Sequence, residues 1–194
     1  GEGSDEIFCG YSKWLKIRDI QKLDHYVKDK IGSSSQKFLH TVFKSVTNSN
    51  NHLTELLWRS GNNHPLFWGG AMDFTKNGRD NLLIGNLIDN STTIISNYYK
   101  KYLDKRPRND IMGWMSYLDL KFRLPELMLP RLDKMTMANS VEGRVPFLDH
   151  RIVELAMSLP KHLRNCNGNN GKYLLKKIAN KYLPQGIIYQ KKKG

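Results

Sequence analysis

Apolar residues fall three and four positions apart along most of this 194-residue chain, and few stretches alternate in the manner of a strand. Ile7, Phe8, Tyr11, Trp14 and Leu15 make one such series. Phe38, Leu39, Val42, Phe43 and Val46 make a second, and Leu53, Leu56, Leu57 and Trp58 a third. Ile94, Ile95, Tyr98, Tyr99 and Tyr102 mark a helix that stops before Pro107, and Ile111 to Phe122 reads as another. Stripes of this kind pack as core, so the chain is expected to be mainly α.

Breaks punctuate the pattern. Gly61 to Gly70, with Asn62, Asn63 and Pro65, is rich in turn formers, and Gly78 and Gly85 flank a short segment of unassigned type. Pro125 and Pro130 are expected to break the helical pattern twice, before a helix through Leu132, Met135, Met137 and Ala138. Asp149 is placed to N-cap a helix containing Ile152, Val153, Leu155, Ala156 and Met157. Asn165 to Gly171 is a loop by composition. A last amphipathic helix carries Tyr173, Leu174, Leu175, Ile178, Ala179 and Tyr182 and ends before Pro184.

A chain of this length buries one core and is normally one domain. No apolar run approaches the ~18 residues needed to cross a bilayer. Cys9 and Cys166 have no metal-ligand spacing and read as reduced thiols of a cytoplasmic protein. The net charge is +13, and no acidic residue follows Glu154. The basic end implies either an anionic partner or a solvated face. Its aromatics lie in apolar stripes rather than beside the basic residues, which argues against nucleic acid.

Three segments can carry chemistry. Gly1-Glu2-Gly3-Ser4-Asp5-Glu6 sets carboxylates among glycines that let the backbone approach a ligand. It also reads as a plain helix start, with Ser4 or Asp5 as N-cap. Lys172 follows a glycine-asparagine loop and opens a helix, where a cation opposes the helix dipole unless a phosphate binds there too. Arg131-Leu132-Asp133-Lys134 groups two cations and a carboxylate in one turn, as a surface ion cluster or part of a site. Glu142 and Arg144 are expected to pair in a partly buried, structural setting.

Together these segments resemble the synthetase domain of glutamine-hydrolysing asparagine synthetases. Gly1 to Glu6, with Phe8, Gly10 and Tyr11, is similar to that family's Gly-Glu-Gly-Ser/Ala-Asp-Glu loop. Arg131 to Ala138 resembles its Lys-Val-Asp-Arg-Met-Ser-Met-Ala helix, and Val141 to Asp149 its Glu-x-Arg-Val-Pro-Phe-Leu-Asp signature. Gly171-Lys172 with Leu175, then Leu183-Pro184 and Lys191, resembles its last block. Residues 12–120 carry little of the likeness. Cys9 stands where the family usually has glycine, and Gly143 replaces a larger residue.

The resemblance implies a fold and a reaction. Residues 1–194 would be a partial asparagine synthase domain: the helical C-terminal portion of an α/β adenine-nucleotide alpha-hydrolase-like domain, lacking most of its parallel sheet. The pyrophosphate-binding loop, Ser-Gly-Gly-x-Asp-Ser, and a glutaminase domain would lie ahead of it, leaving this stretch inactive alone. ATP and aspartate would give an acyl-adenylate and pyrophosphate, and ammonia from glutamine would displace AMP. Glu2, Lys172 and Arg131 would be catalytic, and Gly1, Glu2 and Lys172 would bind ATP. Gly3 and Ser4 would bind the acceptor, and Asp5 would bind Mg2+. Partners would be small molecules, with no nucleic acid and no membrane, and a homodimer is allowed. Amidation of another carboxylate such as a sugar acid, and a non-catalytic basic module, stay open as alternatives.

Overall fold

The computed structural model describes residues 2–31, 52–70, 74–83, 90–105, 110–164 and 171–190. Gly1, the stripe from Phe38 to Val46, Gly85, Pro107, Cys166 and Lys191 lie outside the described residues. Among the described residues no strand occurs, as the periodicity predicts. The helices are α1 (Ser4–Ile7), α2 (Ser12–Ile31), α3 (His52–Gly61), α4 (Lys76–Leu82), α5 (Ser91–Leu103) and α6 (Ile111–Leu118). A π-helix (Asp119–Met128), α7 (Leu129–Met137), a 3-10 turn (Pro146–Leu148), α8 (His150–Ser158), α9 (Lys161–Arg164), α10 (Tyr173–Ala179) and α11 (Gln185–Ile188) follow. The chain divides into two compact units, Gly1–Leu15 with Met115–Gly194, and Lys16–Trp114.

The first unit joins the two ends of the sequence. Gly3, at φ +86°, N-caps α1, so the cap is neither Ser4 nor Asp5. Only glycine takes that backbone at no cost, and a Cβ there would run into Leu148. The chain then turns through Cys9 at φ +56° before α2 begins, so the Ile7–Leu15 stripe is two helices rather than one. That left-handed backbone is physically why glycine suits the Cys9 position. Ile7, Phe8 and Ala156 form the core, with Leu120, Phe147, Leu148, Val153, Leu174 and Leu175 packed on it.

The prolines do not break the helix as expected. Residues 111–137 are helical without interruption. Pro125 sits in the π-helix, at whose end the Leu129 N–H donates to Leu124 O, five residues back. The wider turn accommodates a ring that would clash in α geometry. Pro130 falls in the first turn of α7, where a missing N–H is tolerated. Asp149 caps α8 as expected, accepting from Arg151 N at 2.9 Å. Hydrogen bonds from Arg151 hold its carboxyl well below the usual range. Glu142 and Arg144 do pair, at 2.8 Å, but in solvent rather than half-buried: both side chains are over two-thirds exposed.

In the second unit, α5 forms where predicted, with Ile95 and Tyr102 of its stripe buried and Ile94 exposed. The core includes Leu66, Phe67, Trp68, Ile95, Tyr102, Met112 and Trp114. Trp114 Nε1 donates to Phe67 O at 3.0 Å, which fastens the turn-rich Gly61–Gly70 segment inside. α3 departs from expectation. Leu53 is exposed, and the fully buried positions are Thr54, Glu55, Arg59 and Ser60. Arg59 bonds Glu55 at 2.8 Å and Leu66 O at 2.8 Å, and lies 3.9 Å over the Trp68 ring. A paired, stacked guanidinium thus takes the place an apolar stripe was expected to fill. Burial brings its pKa down to about 10, with Glu55 resisting.

Candidate active site

In the first unit, the glycine-rich opening and the start of α10 meet. Lys172 Nζ lies 3.0 Å from Asp5 Oδ1 and 3.0 Å from Ser4 Oγ, which accepts its hydrogen bond. Both side chains of the ion pair are mostly covered, at 29% and 19% exposure. Ser4 is buried and turned toward Lys172. Glu2 is half-buried in the turn just ahead of α1.

Backbone contacts set this meeting. Lys172 N donates to Phe8 O at 3.0 Å, and Gly10 N donates to Asp5 O at 2.8 Å. Lys172 itself adopts a left-handed backbone, φ +58°, as N-cap of α10. Gly171 packs so tightly that a Cβ would lie 2.8 Å from Cys9 O. A Cβ on Gly10 would collide with Asp5 Oδ1 and stand 2.5 Å from Lys172 Cε. Two glycines therefore leave the room in which the ion pair closes.

Behind this pair stands a polar cluster that sequence reasoning missed. Glu6 and Asp119 are fully buried. Tyr11 OH donates to Glu6 Oε1 at 2.5 Å. Arg123 Nη1 lies 3.8 Å from Glu6 Oε1 and 3.6 Å from Asp119 Oδ2, and its guanidinium sits 4.7 Å over the Tyr11 ring. Burial first, then the Glu6 hydrogen bond, holds the Tyr11 phenol well above its ordinary pKa. Burial opposes the charge on Arg123, but Tyr11, Asp119 and Glu6 together raise its pKa. The only sequence signal was the i,i+4 spacing of Asp119 and Arg123.

The predicted residues are thus partly gathered. Glu2, Gly3, Ser4, Asp5 and Lys172 come together within one unit, and Gly1 lies outside the described residues. Arg131 is exposed on α7 and, among the described residues, makes no ion pair. A group of three or more acidic, histidine or cysteine side chains able to cage a metal does not occur among the described residues. Mg2+ usually takes one or two carboxylates and fills its remaining positions with phosphate oxygens and water, so Asp5 fits as a single ligand.

Two comparisons place the chain among known proteins. It matches the family described as asparagine synthase over residues 1–194, including the middle where sequence motifs were sparse. It is 31% identical to asparagine synthetase [glutamine-hydrolyzing] 1 of Bacillus subtilis, covering 100% of this chain and 29% of that protein. A putative asparagine synthetase [glutamine-hydrolyzing] of Mycobacterium bovis is 26% identical, with 100% and 28% covered. Asparagine synthetase [glutamine-hydrolyzing] 3 of Bacillus subtilis is 40% identical over 76 residues, 39% of this chain and 12% of that protein. The chain thus spans under a third of the length of these relatives, and no solved structure matches it. Its helical architecture fits the helical portion of an adenine-nucleotide alpha-hydrolase-like domain, and the chain belongs to the asparagine synthase family.

Proposed function

We propose that the protein carrying this chain forms an amide by ATP-dependent activation of a carboxylate, with aspartate as acceptor and asparagine as product. An acceptor carboxylate oxygen attacks the α-phosphorus of ATP, the bond to pyrophosphate breaks, and an acyl-adenylate forms. Ammonia from glutamine attacks the acyl carbon and loses a proton, and AMP leaves with the former carboxylate oxygen.

The observation that carries this reading is the meeting of Lys172 with Asp5 and Ser4 in a chain of the asparagine synthase family. A mostly covered ammonium at a helix start can hold a phosphate oxygen where the nearby backbone also favours an anion. In this reading Lys172 stabilises charge growing on the α-phosphate and the leaving pyrophosphate. Asp5 would hold magnesium, which when bound would supply further neutralisation there. Glu2 faces the acyl carbon and positions ammonia or takes its proton. Gly1 and Gly3 bring backbone close to nucleotide and acceptor, and Ser4 contributes to the acceptor side. Arg131 is a second cationic contact for the nucleotide, made when the nucleotide is bound. The chain forms one wall of the site, and the family's pyrophosphate-binding loop, from another part of the protein, forms another. The isolated chain accordingly makes no asparagine.

The test is AMP release by the whole protein with aspartate and with a panel of uronic acids. Aspartate is expected to give the fastest release. A uronic acid outpacing it would reassign the acceptor, and no AMP with any carboxylate would contradict the reading.

A further inference from the structure

The Glu6, Tyr11, Asp119 and Arg123 cluster is not needed by the reaction steps above, yet it adjoins the residues that are. Glu6 shares one helical turn with Asp5. Tyr11 follows Gly10, whose N–H is bonded to Asp5 O. The Phe8–Tyr11 loop also receives the Lys172 N–H, at Phe8 O. The Asp5–Lys172 pair and the Lys172 backbone therefore both depend on the segment Ser4–Tyr11. That segment is clamped across its own turn by the Tyr11–Glu6 hydrogen bond, and Arg123 faces the clamp from the π-helix. Asp119, one turn back on the same stretch, lies 3.6 Å from Arg123, and π-helical turns are frequent at functional sites.

We propose that Arg123 is a positioning residue: by facing Glu6 and stacking on Tyr11, it fixes the Ser4–Tyr11 segment on which Asp5 and Lys172 meet. The inference deepens the adenylation reading and rests on it for its catalytic consequence. Its geometric part stands by itself, because Lys172 loses its fixed partners whenever the segment shifts.

Two conservative variants of the whole protein test it, Arg123→Lys and Tyr11→Phe. The first keeps a charge but loses the planar fork. The second removes one hydroxyl and keeps the ring. The geometric measurement is acetylation of Lys172 by an amine-reactive ester, followed by peptide mass spectrometry without nucleotide, with exposed Lys177 as internal reference. The Lys172-to-Lys177 labelling ratio is expected to rise several-fold in both variants, while circular dichroism stays unchanged. The catalytic measurement is kcat for pyrophosphate release, expected to fall about 10–100-fold, the usual effect of losing a residue that orients a ligand-binding group. An unchanged labelling ratio, or loss of fold in the mild Tyr11→Phe variant, overturns the proposal. A raised ratio with unaltered kcat also overturns it, since positioning would then not matter to the reaction. Absence of pyrophosphate release from the unaltered protein would contradict the functional reading instead, and the labelling ratio would still decide the geometry.

Discussion

Lys172 Nζ stands 3.0 Å from Asp5 Oδ1, although the two residues lie near opposite ends of the chain. One is a cation at the start of a helix, where the dipole opposes it, and the other a carboxylate on a one-turn helix. Each neutralises the other, and in the proposed reading Lys172 meets a phosphate oxygen and Asp5 its counterion.

In the proposed reading, replacing Lys172 removes charge stabilisation rather than fold. Lys172→Ala in the whole protein is expected to lower kcat for pyrophosphate release by about 10²–10³, the usual effect of losing a group aimed at developing charge. Circular dichroism should not change. Undiminished activity in this variant would favour a non-catalytic role for the chain.

Gly10 tests the room around the pair. Gly10→Ala puts a methyl group against Asp5 Oδ1 and 2.5 Å from Lys172 Cε, so the pair must part. Activity is expected to drop at least tenfold, about 1.4 kcal/mol in the barrier. Gly186→Ala is the control, since nothing lies within 4 Å of its added Cβ. Equal activities in a pyrophosphate-release assay would contradict the close approach.

Some of this was legible in the sequence and some was not. The helix α5 and the Asp149 cap are local patterns, and both were read correctly. Lys172 at a helix start and the carboxylates of the opening loop were also visible, because glycine and charge mark them. What failed depended on partners outside the helix being read, or on a helix geometry that the pattern rules do not assume. Nothing near Glu55 and Arg59 says that they, rather than Leu53, face inward; Leu66 O and the Trp68 ring decide it. Pro125 looked like a break because the rule assumes α geometry, which the π-helix does not keep. Arg123 was not singled out at all, since its partners Glu6 and Tyr11 are over a hundred residues away.

The buried Glu55–Arg59 pair predicts a stability effect in the second unit. Arg59→Met leaves Glu55 charged and buried, which costs about 3–5 kcal/mol. The double variant Glu55→Gln with Arg59→Met should recover part of that loss. Urea denaturation of the three proteins measures both terms, and a single variant as stable as the parent would refute the pairing.

His64 predicts a pH dependence. Burial, and then the nearby Arg59 charge, lowers its pKa below the ordinary 6.5. The unfolded chain thus takes up the proton first, so this contribution to stability is present above pH 6.5 and is lost as the pH falls below it. Tm should decline between pH 7.5 and 5.5, and the decline should shrink in His64→Gln. An identical decline in both proteins would assign it to other groups.

In the proposed reading, Asp5 and Lys172 form part of a site that adenylates a carboxylate. The most direct measurement is turnover of the whole protein with ATP, glutamine and aspartate labelled with oxygen-18 in its side-chain carboxylate. Asparagine, pyrophosphate, and AMP carrying one labelled oxygen are expected, because the carboxylate oxygen that attacks the α-phosphorus leaves with AMP. Label appearing in inorganic phosphate together with ADP, or unlabelled AMP, would contradict it.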